Sequence, residues 1–137
     1  MSGPEFNERK AQMSQRIRIR AGSVEVAGEL NDGPTAKAVA AALPIRAKGN
    51  CWGGEIYFRI PVKAGLEPDS RDVLEVGELG YWPTGSAFCI FFGRTPASSG
   101  DEPRAASGVN ILGRIDGDTS KLWDVPDGAD VVIEAVE

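Results

Sequence analysis

An all-β fold is what this sequence predicts: a small closed barrel of about eight strands with one or two short helices, its interior filled by side chains. Three observations carry that expectation. The 17 Gly and nine Pro are spread through the 137 residues, as frequent turns between short strands require. Apolar and polar residues alternate over several short runs. One run, Phe88-Cys89-Ile90-Phe91-Phe92, has no polar face and reads as a central strand covered on both sides.

Residues 1–12 are polar and aperiodic and read as an expression remnant or a disordered tail, so a single domain is expected over 13–137. From Arg16 the alternation is strict, with Ile17, Ile19 and Ala21 on one face and Arg16, Arg18 and Arg20 on the other. Gly22-Ser23 suits a type II′ turn, and Val24 and Val26 continue the apolar face. That two-residue turn sets Arg20 opposite Glu25, Arg16 opposite Glu29 and Ile19 opposite Val26. Cross-strand pairing with Glu is a stronger reading of the arginine row than an anion site. Asn31-Asp32-Gly33-Pro34-Thr35 supplies a helix start, and Ala36 to Leu43 follow as helix formers until Pro44. The stripe Ala36, Val39, Ala40, Leu43 is narrow and suits a lid on one barrel mouth.

Ile45 to Trp52 and Glu55 to Ile60 form a second hairpin turned at Gly53-Gly54, with Cys51, Ile56, Phe58 and Ile60 on one face and Trp52, Tyr57 and Arg59 on the other. Pro61 to Asp72 is a connection. Leu79 to Trp82 and Ala87 to Phe92 form the hairpin around which the chain is organised, joined through Pro83-Thr84-Gly85. Arg94 to Ser107 is the longest polar, irregular piece, hence a functional or mobile loop. Val109 to Ile115 is a strand, Thr119 to Trp123 a single helical turn, and Asp130 to Val136 the closing strand.

The phrase Gly80-Tyr81-Trp82-Pro83-Thr84-Gly85, followed by Ala87-Phe88-Cys89-Ile90-Phe91-Phe92-Gly93 and Thr95-Pro96, resembles a family of small prokaryotic cyclophilin-like proteins of unassigned function. Trp52-Gly53-Gly54-Glu55-Ile56-Tyr57-Phe58, Val109-Asn110-Ile111-Leu112-Gly113-Arg114-Ile115 and Val131-Val132-Ile133-Glu134 fit the same family in order. The resemblance implies a closed cyclophilin-like β-barrel; it implies much less about activity, which must be argued from a site.

Composition removes several function classes. A net charge of −5 with scattered Lys and Arg argues against nucleic acid. No apolar run approaches the roughly 20 residues of a membrane span, and no signal-peptide core is present, so no membrane partner and a cytoplasmic location are expected. The chain has no histidine, which excludes Ser-His-Asp and Cys-His catalysis and removes the commonest transition-metal ligand. Cys51 and Cys89 read as free thiols packed as small hydrophobes. No cofactor and no metal site is expected: Asp116-Gly117-Asp118 lacks the remaining ligand positions of a calcium loop, and the glycines form no phosphate-loop fingerprint.

The one catalytic template the resemblance brings is prolyl cis/trans isomerisation. There an Arg donating to the twisted imide nitrogen lowers a barrier of roughly 18–20 kcal/mol. Phe58-Arg59-Ile60-Pro61 matches part of the cyclophilin pattern, with Arg59 in the Arg position. One residue is missing before Pro61, Val62 replaces the following aromatic, and the His and the Gln-Gly-Gly are absent. A barrel-surface cation is therefore the stronger reading of Arg59. The leading expectation is a domain that binds a small molecule or peptide without efficient isomerase activity. Its cleft is expected beside the organising hairpin, the Arg94–Ser107 loop and the strand from Val109. Phe58, Tyr81, Trp82, Phe88 and Phe91 are its candidate aromatic wall, and Asn110 and Arg114 its polar contacts. A divergent isomerase using Arg59, a homo-oligomer, and a subunit of a larger hydrolase-type assembly are the alternatives.

Overall fold

The computed structural model describes residues 14–136, so the expectation for residues 1–12 lies outside the described residues. Ten strands run in chain order as β1 (Gln15–Ala21), β2 (Val24–Leu30), β3 (Ile45–Lys48), β4 (Asn50–Cys51), β5 (Glu55–Arg59), β6 (Arg71–Val73), β7 (Glu78–Trp82), β8 (Ala87–Phe91), β9 (Arg104–Ile115) and β10 (Asp130–Val136). One α-helix, α1 (Pro34–Ala41), and two 3-10 turns, Pro83–Gly85 and Ser120–Asp124, complete the described elements. The sheet order is β3-β10-β1-β2-β9-β7-β8-β5-β4, with β6 paired to β9 off this path.

Two expectations are corrected here. The sheet does not close into a barrel, and it has ten strands rather than eight. The break lies at Gly49. Its N–H donates to the Ala129 carbonyl (2.8 Å) and its carbonyl accepts from the Gly128 N–H (2.8 Å), so the run expected as one strand, Ile45 to Trp52, changes partners there. Its first half, β3, joins β10, and its second half, β4, joins β5. A Cβ at Gly49 would stand 3.1 Å from side-chain methyls of both Ile56 and Val131, a tight fit in which those neighbours would have to give way. The other addition is β6, within and just beyond the expected connection, which pairs with a β9 that begins at Arg104 instead of Val109.

The first hairpin adopts the register its alternation predicts, Arg20 opposite Glu25, Arg16 opposite Glu29 and Ile19 opposite Val26. Its charged face is tied further across the sheet, with Arg18 and Arg20 reaching Glu134 of β10 at 3.5 and 3.2 Å. At the start of α1 no local side chain caps the backbone. Glu67 from the distant connection does so instead, accepting from the Thr35 N–H at 3.1 Å and from its hydroxyl. A carboxylate there complements the helix N-terminus.

Two apolar layers result. The main core gathers the inward faces of β1, β5, β7, β8, β9 and β10, with Ile17, Phe58, Phe88, Leu112 and Ile133 essentially inaccessible and the Phe58 and Phe88 rings stacked at 5.4 Å. Each such side chain contributes about 1.5–3 kcal/mol relative to exposure. A smaller core lies on the other side of β7, β8 and β9: Leu74, Ala87, Cys89, Phe91, Ala105 and Val109. Central β8, between β7 and β5, is buried on both faces, as its unbroken apolar run requires. The second, thinner layer positions the candidate site.

Candidate functional site

The site begins with a turn that admits only glycine. Gly53 has φ +62°, and a Cβ on Gly54 would stand 2.4 Å from the Gly93 backbone. Two glycine backbones thus lie against one another, fastened by the Gly54 N–H donating to the Arg94 carbonyl (2.7 Å) and the Phe92 N–H to the Gly54 carbonyl (2.8 Å). Trp52 and Glu55 leave this turn on either side, the Trp52 N–H donating to the Glu55 carbonyl at 2.9 Å.

Glu55 opens β5 opposite Phe91, and Tyr57 stands opposite Cys89. Strand alternation places Glu55 and Tyr57 on the face of the smaller core, away from Ile56 and Phe58. Trp82, at the end of β7 opposite Ala87, arrives on the same face. Its indole N–H donates to Ser107 Oγ at 2.7 Å, and its six-membered ring lies where a Cβ on Gly85 would come within 2.9 Å. The ring is therefore held at both ends.

Between these residues lies a cavity of about 140 Å³ lined by Trp52, Glu55, Tyr57, Trp82, Ala105 and Ala106. Three aromatic side chains and two alanines make its wall mostly apolar. Glu55 is its ionisable group, only 5% exposed, and Oε1 of its carboxyl has no hydrogen-bond partner. Burial pushes this carboxyl up to about 7, against a smaller opposing pull from the Cys89 thiol. The fully buried Cys89 thiol is itself pushed well above its ordinary range by burial and by the nearby Glu55.

Glu78 shows what a satisfied buried carboxylate looks like in the same sheet. Burial would raise it, but paired hydrogen bonds from Arg71 at 2.8 and 2.9 Å, one from the Glu75 N–H at 2.9 Å, and the charges of Arg71 and Arg114 outweigh this and hold it below the ordinary range. No ion pair is formed by Glu55 among the described residues. Its unpartnered oxygen is buried, in a residue that lines the cavity.

Among the residues singled out from sequence, only Trp82 lines this cavity. Phe58 and Phe88 stack inside the main core, while Arg59 is exposed on the opposite face of the same strand. Alternation along β5 thus separates Arg59 from Phe58 and Phe88, two of the three rings, with Phe91, expected to form a pocket beside it. Phe91 is buried in the smaller core. Tyr81 and Asn110 face one another across β7 and β9, both inaccessible. The Tyr81 hydroxyl donates to the Val62 carbonyl (2.6 Å) and accepts from the Ala64 N–H (3.2 Å). Asn110 donates to Thr35 Oγ1 (3.0 Å) and the Gly65 carbonyl (2.9 Å) and accepts from the Glu67 N–H (2.7 Å). Their polar atoms hold the segment from Val62 to Glu67 over the sheet. Arg114 is exposed and pairs with Glu75 at 3.5 Å.

The side chains that sequence reasoning missed as a site are Trp52, Glu55 and Tyr57, with Ala105 and Ala106 of the wall. A carboxylate at the first strand position after Gly-Gly, between Trp52 and Tyr57, was the available signal.

Comparison with known proteins agrees with this architecture. The family model described as cyclophilin-like matches residues 15–134. The solution structure of the hypothetical protein AF2241 from Archaeoglobus fulgidus is 45% identical, covers 90% of this chain and 96% of its own, and superposes with a TM-score of 0.77. No curated protein matches the chain.

Proposed function

We propose, starting from the fact that the chain belongs to the cyclophilin-like family, that it is a single-domain small-molecule-binding protein whose ligand enters the Trp52–Glu55–Tyr57–Trp82 cavity. One observation carries this reading: a 95%-buried carboxyl with an unpartnered oxygen lines an otherwise apolar, aromatic cavity. Leaving such a group unsatisfied costs roughly 1–3 kcal/mol, a cost that a donor-bearing ligand removes on binding. Pockets that bind small molecules combine an apolar wall with one or a few placed polar groups, which is the composition found here.

The location also fits a ligand site of modest size. The wall comes from the organising hairpin through Trp82 and from the end of the Arg94–Ser107 segment through Ala105 and Ala106. That segment is tied down by the Thr95 hydroxyl donating to the Arg104 carbonyl and by Ser99 and Gly100 N–H groups donating to Glu102 at 2.8 Å. A structured cover of this kind sets the shape of the cavity before a ligand arrives.

Efficient prolyl isomerisation does not follow from this arrangement. Arg59 stands exposed with no apolar pocket from Phe58 or Phe88 beside it, so it lacks the desolvated environment in which a guanidinium would stabilise a twisted imide. The test of the ligand-binding reading is a screen of neutral, anionic and cationic fragments against ¹⁵N-labelled protein. Saturable shifts of the Trp52 and Trp82 indole N–H signals support it. Shifts confined to other surfaces, or none, overturn it.

A further inference from the structure

The chemistry of the cavity narrows the class of its ligand, on the premise that the cavity is a ligand site. We infer that it recognises a small alkylammonium group, a protonated amine whose N–H donors meet the Glu55 carboxyl while its carbon chain and positive charge lie against Trp52, Tyr57 and Trp82.

Four features converge on a cation. The polar group at the wall is a carboxyl, which is acceptor-only once ionised, so a ligand that meets the ionised form must bring a donor. Three aromatic side chains line the same cavity, and aromatic rings attract cations held over their faces within about 6 Å through their negative quadrupole. One of the cavity's side-chain donors, the indole N–H of Trp82, is already committed to Ser107 Oγ. Among the described residues, no guanidinium or ammonium is paired with Glu55.

The groups around Glu55 bear this out element by element. From β5 come Tyr57 and, exposed at the far end, Arg59; from β8 comes the neutral Cys89 thiol; from β7 comes Trp82. Arg94 meets the turn through its backbone carbonyl and its side chain is exposed. Arg104, at the start of β9, is spent on Asp72 and Glu102, each at 3.3 Å. The charge of an ionised Glu55 is therefore uncompensated until a cation enters, and binding a cation must favour loss of the Glu55 proton. A neutral donor such as an alcohol satisfies the oxygen but not the charge.

The probes are n-butylammonium chloride, n-butanol and sodium butyrate, titrated into the full chain with the two indole N–H signals as readout. At about pH 8 butylammonium shifts both signals saturably, and butanol binds at least about tenfold more weakly, as expected for loss of a charge-assisted hydrogen bond. Butyrate leaves the signals in place. Lowering the pH to about 5.5 weakens butylammonium by about 30-fold, because Glu55 is then protonated. Glu55→Gln abolishes the preference for the ammonium over the alcohol; the three-probe comparison on the parent protein holds should that variant not fold. Nα-acetyl-lysine methylamide, binding more tightly than butylammonium, would assign the ammonium to a lysyl side chain, and more weakly, to a free amine. Butanol or butyrate binding as tightly as butylammonium overturns the inference. Silence from every probe while the fragment screen yields other ligands in the cavity overturns the ammonium inference alone; silence from both experiments removes the ligand-binding reading as well.

Discussion

Trp82 and Ser107 are joined by a 2.7 Å hydrogen bond from the indole N–H to the hydroxyl, which ties the end of β7 to the middle of β9 on the outer face of the sheet. The bond fixes one aromatic wall of the cavity. It also removes the Trp82 indole donor from any role toward a ligand. Ser107→Ala should lower stability by about 1 kcal/mol, a typical value for one partly exposed hydrogen bond, and should weaken cavity ligands by more than it weakens the fold. Urea unfolding and ligand titration on the same variant separate the two effects.

Glu55 gives a pH dependence whose sign is opposite to that of a salt-bridged carboxylate. Its folded value is raised, to about 7 from an ordinary 4.5. The folded state therefore holds its proton where the unfolded state has lost it. The stabilising contribution of the protonated group is complete below about pH 4.5, fades as pH rises toward about 7, and is absent above that. The swing is of order 3 kcal/mol. Glu55→Gln should be more stable than the parent protein at about pH 8, by up to that amount, with the difference closing near pH 5. Chemical denaturation at the two pH values decides it, and a constant difference would mean that burial does not shift this group.

Tyr81 and Asn110 serve one purpose, the anchoring of residues 62–67, and their effects should not add. Tyr81→Phe strands the Val62 carbonyl and the Ala64 N–H, and Asn110→Ala strands the Glu67 N–H. Each should cost roughly 1–3 kcal/mol. The double variant should cost less than the sum of the two, by about 0.5 kcal/mol or more, because the segment is already released in either single variant. Native-state hydrogen exchange at Ala64 and Glu67 reads the release directly.

Arg59 is exposed and joins no ion pair among the described residues. Arg59→Ala should change stability by less than about 0.5 kcal/mol. Exchange spectroscopy on X-Pro peptides should show no isomerase rate in the parent protein and therefore none to lose. A rate abolished by the substitution would revive the isomerase reading.

Most of the strand framework was legible from alternation, because the side-chain period of 2 is fixed by the backbone. The register of the first hairpin, the central position of the run from Phe88, and the outward set Trp52, Tyr57 and Arg59 all follow from it. Partner changes are not encoded that way. Gly49 ends one ladder and starts another because of what packs around it, Ile56 and Val131, which lie far apart in sequence. Aromatic and amide residues near the organising hairpin were sensible ligand contacts by type, yet Tyr81 and Asn110 had every polar atom engaged by a connection that reads as featureless. Glu55 was passed over for the converse reason. Nothing local says that a carboxyl at a strand start will be roofed by a segment some fifty residues later, and burial by distant chain is what makes it distinctive.

The measurement that bears most directly on the cavity is the titration of the Glu55 side-chain carboxyl, followed through its ¹³C shift in the ligand-free protein. A buried carboxyl with an unpartnered oxygen predicts a midpoint at about 7. A midpoint near the ordinary 4.5 would mean that water or a cation already serves this group, and would contradict the account of an unmet charge awaiting a ligand.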